Sequence, residues 1–165
     1  MSIRILITGG TFDKEYNELD GKLFFKNTHI SDVLKLGRSK LDTEATTIAM
    51  IDSLDMTDKD RENISQACKD TKQEKIVITH GTDTMVETAR YLDSRIKNKT
   101  IILTGAMVPF VFGSSDGLFN LGAALGFVQA LPHGVYVAMN SKYFPANKVR
   151  KNKENGFFED IKLMD

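Results

Sequence analysis

The sequence predicts an α/β protein: a three-layer fold with a mainly parallel, open sheet and helices on both faces. Three observations carry this. Ile5-Leu6-Ile7, Ile76-Val77-Ile78 and Ile101-Ile102-Leu103 are short β-branched runs without polar alternation, as expected of parallel strands buried on both faces. Helix-like segments follow the second run and, after a loop, the third, giving the alternation of a βαβα chain. Each run also ends on hydroxyl and glycine residues: Thr8-Gly9-Gly10-Thr11, Thr79-His80-Gly81-Thr82-Asp83-Thr84 and Thr104-Gly105-Ala106. Ligands of open parallel sheets gather beyond the carboxyl ends of the strands. Thr11, Thr82 and Asp83 are therefore expected along one rim.

In chain order, residues 3–8 read as the first strand. A polar segment from Phe12 to Asn27 follows, with Gly21 at a turn, and then a short helix near 30–37. Thr46-Thr47-Ile48-Ala49-Met50-Ile51 reads as the second strand. Thr57 is placed to cap a helix from Asp58 to Lys72, with Asp60 in its first turn. Ile64, Ala67, Cys68 and Thr71 form its inward stripe. Strand 75–79 leads into a helix near 84–96, and strand 100–104 precedes a loop holding Pro109 and Gly113. The helix at 116–131 is apolar nearly all round, which predicts burial in the core or against another subunit. Gly122 and Gly126 would let another element approach it closely. Strand 134–139 and a basic, polar tail complete one expected domain, residues 1–165.

Bulk properties narrow the function. The 165 residues carry 22 Lys+Arg and 22 Asp+Glu, so net charge drives neither a nucleic-acid nor a membrane-surface contact. The one cysteine, Cys68, cannot form an intrachain disulfide, and its expected role is packing. The N-terminus enters a strand almost at once, without a leader's charged-then-apolar layout. A soluble, cytoplasmic protein is the expectation. His29, His80 and His133 have no metal-ligand spacing, and His80 reads as a structural or orienting residue. Neither Gly10-Thr11 nor Gly81-Thr82 precedes Lys-Ser/Thr, so nucleotide binding is unsupported.

A hydroxyl nucleophile is weak until a base takes its proton and donors stabilise the oxyanion. Glycines beside Thr11 and Thr82 leave backbone amides open to a ligand, and Asp83 adds a carboxylate where a helix begins. Helix capping is the plainer role for Thr and Asp at such junctions. Two such motifs ending two buried strands favour an acyl-transfer site. Gly113-Ser114-Ser115-Asp116-Gly117 fits G-x-S-x-G, but Pro109 interrupts the run before it, so a loop over the rim is preferred to a nucleophile elbow.

Thr8-Gly9-Gly10-Thr11, His80-Gly81-Thr82-Asp83-Thr84-Met85, Thr104-Gly105-Ala106-Met107 with Pro109, and Ser115-Asp116-Gly117 with Phe119-Asn120-Leu121 together resemble the bacterial-type L-asparaginase family, in its order and spacing. The resemblance covers nearly the whole chain, as the N-terminal domain of that family in a short, single-domain form. It implies hydrolysis of L-asparagine to L-aspartate and ammonia through a threonine nucleophile, with neither metal nor cofactor. Thr11 resembles the nucleophile in its loop with Gly10. Thr82 and Asp83, beside Gly81, resemble the second catalytic threonine and its acid. Asp52-Ser53 resembles the substrate-binding serine motif, with Ser53 on the α-carboxylate and Leu54 where a polar residue is common. Ala106 would offer its carbonyl to the leaving amide. Tyr16 resembles the tyrosine that contacts the nucleophile, in a mobile lid from Lys14 to Lys26. Aligning Met139-Asn140 with the family's matching pair puts the catalytic lysine at Lys151, with Lys148 and Lys153 close enough to compete for that register.

A lysine acts as a base only when neutral. Burial lowers its pKa and a neighbouring carboxylate raises it, so Lys151 and Asp83 are expected to act as a polarising pair around Thr82. The alternatives are a non-catalytic asparagine or aspartate sensor, and an amidohydrolase acting on glutamine or a related amide. The apolar helix at 116–131 suggests a homo-oligomer.

Overall fold

A computed structural model describes residues 1–161. Its main sheet has six strands in the order β4-β1-β5-β6-β7-β8. These are β1 (Ser2–Gly9), β4 (Asp42–Ile51), β5 (Lys75–Thr79), β6 (Thr100–Thr104), β7 (Gly134–Met139) and β8 (Lys142–Pro145). The first five are parallel, and β8 returns antiparallel along β7. The alternation of a strand sends Ile3, Ile5, Ile7, Val77 and Ile102 to one face, and Leu6, Ile76, Ile78, Ile101 and Leu103 to the other. Helices α1 (Ile30–Leu36) and α4 (Gly117–Ala130) cover the first face; α2 (Asp58–Asp70) and α3 (Met85–Asp93) cover the second. Three layers with a mainly parallel sheet are what the buried runs predicted.

Local chemistry sets the element ends. Thr57 caps α2 in a reciprocal box, accepting from the Asp60 amide at 3.3 Å while Asp60 accepts from the Thr57 amide at 2.8 Å. Ile64 and Cys68 face the core as read from the sequence, joined by Arg61 and Ser65. β4 starts four residues earlier than the apolar run suggests. It is the sheet edge, so Asp42, Thr43 and Glu44 pair with β1 while their side chains stay toward solvent.

Two expectations need correction. The polar segment after Thr11 is a hairpin of β2 (Lys14–Asn17) and β3 (Lys22–Phe25), with Gly21 in its turn at φ 71°. The basic tail is structured: Asn140 and Ser141, both left-handed, form a tight reversal into β8, and β9 (Val149–Lys151) then pairs with β10 (Phe158–Asp160). Their apolar residues Phe144, Val149 and Phe158 are buried with α3 and the sheet, a pattern too sparse among lysines and asparagines to read as strands. Within the chain α4 buries one face, that of Gly117, Asn120, Leu121, Ala124, Leu125 and Val128. Phe119 is 61% exposed, and no atom approaches the space where side chains at Gly122 and Gly126 would stand. Among the described residues no helix is long and apolar enough to cross a membrane.

Candidate active site

The ends of β1, β4, β5 and β6 meet at one rim, and glycines allow the meeting. Gly10, at φ 77°, lies so near Gly81 that a Cβ there would stand 2.5 Å from the Gly81 Cα. Gly81 in turn lies against Ser53: a Cβ at Gly81 would stand 2.6 Å from the Ser53 Cβ and Oγ. Any larger residue would push these loops apart. The loops carrying Thr11, Ser53 and Thr82 are therefore in backbone contact, although 42 and 29 positions separate them in the chain (53−11 and 82−53).

The Thr82 side is densely bonded. Lys151, arriving on β9, donates from Nζ to Thr82 Oγ1 at 2.9 Å and to Asp83 Oδ1 at 2.7 Å. The Lys151 side chain is 13% exposed and that of Asp83 is 49% exposed. Of the three competing lysines, Lys151 is the one hydrogen-bonded to both residues. Thr82 itself is buried. Ser53, also buried, accepts from the Thr84 amide at 3.3 Å, and its carbonyl accepts from the Thr84 hydroxyl at 2.8 Å. A cavity of about 450 Å³ opens on the Asp83 and Lys151 side, bordered also by Leu54, Glu87, Met107 and Lys153.

His80 is fully buried, and desolvation pushes its pKa down to about 4 against the smaller upward pull of the Gly81 carbonyl. A carbonyl only accepts, so Nδ1 carries the proton, donated to Gly81 O at 2.7 Å. Nε2 then accepts from the Thr88 hydroxyl at 2.8 Å, and the Thr88 oxygen accepts from Arg61 Nε at 3.2 Å. His80 is thus an orienting residue that holds the Gly81 carbonyl, in line with the sequence reading.

The Thr11 side is sparser. Thr11 opens a single 3-10 turn (Thr11–Asp13), and its hydroxyl makes no hydrogen bond among the described residues. Asp13 is buried, and desolvation raises its pKa even though it accepts from the His29 amide and the Thr28 hydroxyl. Among the described residues Tyr16 makes no hydrogen bond to Thr11. Its side chain is 56% exposed, with the hydroxyl beside the turn at Gly21. Tyr16 sits in a hairpin strand whose ladder partner is β3. Asp52 caps the turn Ser53–Asp55 through the Leu54 amide and is ion-paired to Lys14; that hydrogen bond from Lys14 leads in holding its pKa below the usual carboxylate value.

Ala106 is buried in the turn after β6. Asp116 accepts from the amides of Met107 and Val108 at 3.0 and 3.1 Å, while Asn120 donates to Gly105 O at 2.9 Å and accepts from the Asn140 amide at 3.0 Å. These two side chains hold the turn carrying Ala106. In the sequence they stand only within Ser115-Asp116-Gly117 and Phe119-Asn120-Leu121, and the signal of their part is a polar Asn inside an apolar helix. Ser115 donates to Val108 O at 2.6 Å and accepts from the Gly117 amide at 2.9 Å, so it closes a loop and is no nucleophile elbow.

The family model "Asparaginase, N-terminal" matches residues 2–159. "Probable L-asparaginase periplasmic" of Haemophilus influenzae is 34% identical over 172 aligned residues, covering 91% of this chain and 46% of that protein. Among solved structures, the thermostable L-asparaginase from Thermococcus kodakarensis superposes with a TM-score of 0.85 at 31% identity, covering 100% of this chain and 52% of the other. L-asparaginase I from Vibrio cholerae gives 0.87 at 26% identity, covering 99% and 52%. The chain thus spans about half the length of the relatives it matches. With the rim glycines, the paired threonine loops and the family match in agreement, this chain belongs to the asparaginase family, whose N-terminal domain it matches along almost its entire described length.

Proposed function

We propose that this chain hydrolyses L-asparagine to L-aspartate and ammonia, with Thr11 as nucleophile. The observation that carries the reading is the contact between the Gly10-Thr11 and Gly81-Thr82 loops, with Lys151 bonded to Thr82 and Asp83 beside it. Thr11 Oγ forms a bond to the side-chain amide carbon, the C–N bond breaks, and the threonine proton leaves with nitrogen as ammonia. Water then attacks the acyl ester, its oxygen stays on the product carboxylate, and a proton returns to Thr11. In its charged form Lys151 has only protons to give, so with Asp83 it polarises Thr82. Ser53 would hold the α-carboxylate, with Asp52, Gly10 and Gly81 shaping the pocket, and the Ala106 carbonyl would accept from the leaving amide. No cofactor or metal has a step in this scheme.

The hairpin Lys14–Phe25 is assigned the role of a lid that brings Tyr16 to Thr11 on closing. Its attachment through Lys14 to Asp52 at one end and the exposure of Tyr16 support that role. A crosslink holding the hairpin open suppresses turnover on this reading, and unchanged kinetics argue against gating. The exposed side of α4, with Phe119, Gly122 and Gly126, is assigned to a second copy of the chain; full activity from a monomer at working concentration refutes this. The cytoplasm is the assigned compartment.

A second reading, asparagine or aspartate binding without turnover, is favoured by the Thr11 hydroxyl, which makes no hydrogen bond to a base among the described residues. Ammonia release from asparagine by wild type, Thr11→Ala and Thr82→Ala, with folding checked by circular dichroism, decides. Release lost in both variants supports the nucleophile, and wild-type release from folded Thr11→Ala refutes it. Binding with no release in the wild type supports the sensor. Glutamine in place of asparagine tests substrate choice, one methylene being worth about 1–3 kcal/mol.

A further inference from the structure

Lys151 reaches Thr82 from a segment that buries Val149 and bonds the Ala146 amide to Val135 O at 2.9 Å, but whose strand has no ladder to the main sheet among the described residues. β9 is three residues long and pairs with β10 along one edge only. Along the segment that leads into it, a side chain from α3 supplies the missing bonds. Arg90 donates from Nη2 to the Val149 carbonyl at 2.9 Å and from Nε to the Ala146 carbonyl at 3.3 Å. Both bonds carry the full charge of the guanidinium and leave from one rigid fork, which fixes orientation as well as distance. Val149 is fully buried and Lys151 stands two residues later, so strand alternation sends both side chains to the same side. Arg150 points the other way, to Glu159 at 2.8 Å.

The helix that carries Arg90 also begins immediately after Thr82-Asp83-Thr84. One rigid element therefore presents the two acceptors of Lys151 at its N-terminal end and, five residues into the helix, grips the strand that delivers the amine. We infer that Arg90 is a positioning residue: it locks β9 against α3 so that Lys151 is held on Thr82 and Asp83. The inference deepens the proposed function, because it rests on Lys151, Thr82 and Asp83 acting together on an amide.

The test has a substrate-free arm and a kinetic arm, in Arg90→Met and in Arg90→Lys. The latter keeps charge and stem but loses the fork, and it serves where Arg90→Met fails to fold. In the first arm, each lysine is acylated by an amine-reactive ester and its rate is read by mass spectrometry. Lys151 is slow in the wild type and accelerates toward the rate of Lys97, whose side chain is 72% exposed, in Arg90→Met, with Arg90→Lys between. In the second arm, kcat for asparagine falls up to about 10²-fold in Arg90→Met, the scale of a catalytic group misplaced by an ångström, while KM stays near the wild-type value. Partial recovery of kcat in Arg90→Lys supports positioning by the charge. Unchanged Lys151 acylation in a folded variant overturns the inference, as does a change in KM alone. A wild type that releases no ammonia while Lys151 acylation still follows Arg90 overturns the proposed activity and leaves the positioning of Lys151 standing.

Discussion

The two halves of the candidate site differ in how completely they are built. Around Thr82 nearly every polar group has a partner: Lys151 on the hydroxyl, Asp83 on Lys151, His80 on the Gly81 carbonyl, and Thr84 on Ser53. Around Thr11 the hydroxyl has none among the described residues, and Tyr16 stands exposed on a hairpin. Preorganised dipoles act without reorganisation during reaction, whereas a group delivered by a moving segment acts only after closure. On the proposed function, electrostatics falls to the fixed half and gating to the loose one.

The largest effect expected from breaking either half is on turnover. If the proposed hydrolysis holds, Thr82→Val and Thr11→Val each lower ammonia release by about 10²–10⁴-fold, the scale of a lost proton-transfer partner. The urea midpoint of Thr11→Val stays close to wild type, because that hydroxyl makes no hydrogen bond among the described residues, whereas Thr82→Val also loses the bond from Lys151 and melts earlier. Next comes the buried histidine. His80 is neutral in the fold with a pKa near 4, and about 6.5 when unfolded, so protonation favours the unfolded chain. Its contribution is complete above pH 6.5 and is lost as pH falls from 6.5 to 4, by up to about 3 kcal/mol over that window. Denaturant melts at several pH values should show this loss in wild type and a shallower one in His80→Leu. Thr88→Val is smaller: it strips His80 Nε2 and Arg61 Nε of a shared partner at a cost of about 1–3 kcal/mol in unfolding free energy. The smallest effect belongs to the loose half. Lys14→Met, which frees the hairpin from Asp52, shifts stability by no more than about 1 kcal/mol because the pair is partly exposed. A KM change without a stability change there would sharpen the division of labour.

Sequence alone was informative where chemistry and pattern coincide. Ile76-Val77-Ile78 and Ile101-Ile102-Leu103 announce buried parallel strands because nothing polar interrupts them, and the glycines that follow announce close backbone approach. The Thr57 and Asp60 box marked the start of α2 to the residue. Legibility fell where tertiary contacts override composition. Asp42, Thr43 and Glu44 are in a strand because β1 offers them an edge, and Val149 and Phe158 are buried because α3 offers a face. Tyr16 was assigned to Thr11 by resemblance, but its direction depends on the state of a hairpin, which no local pattern records. Lys151 could be numbered from Met139-Asn140, yet its bonds to Thr82 and Asp83 depend on a return of the chain that looked like a basic tail.

That return carries a dependence. Asn140 and Ser141 reverse the backbone, and the amine meets a hydroxyl 69 positions behind it (151−82). The Thr82 hydroxyl therefore keeps its ammonium neighbour only while Val149–Lys151 and Phe158–Asp160 stay paired, so fraying of that two-stranded ribbon strips the rim of its cation while the six-stranded sheet stands.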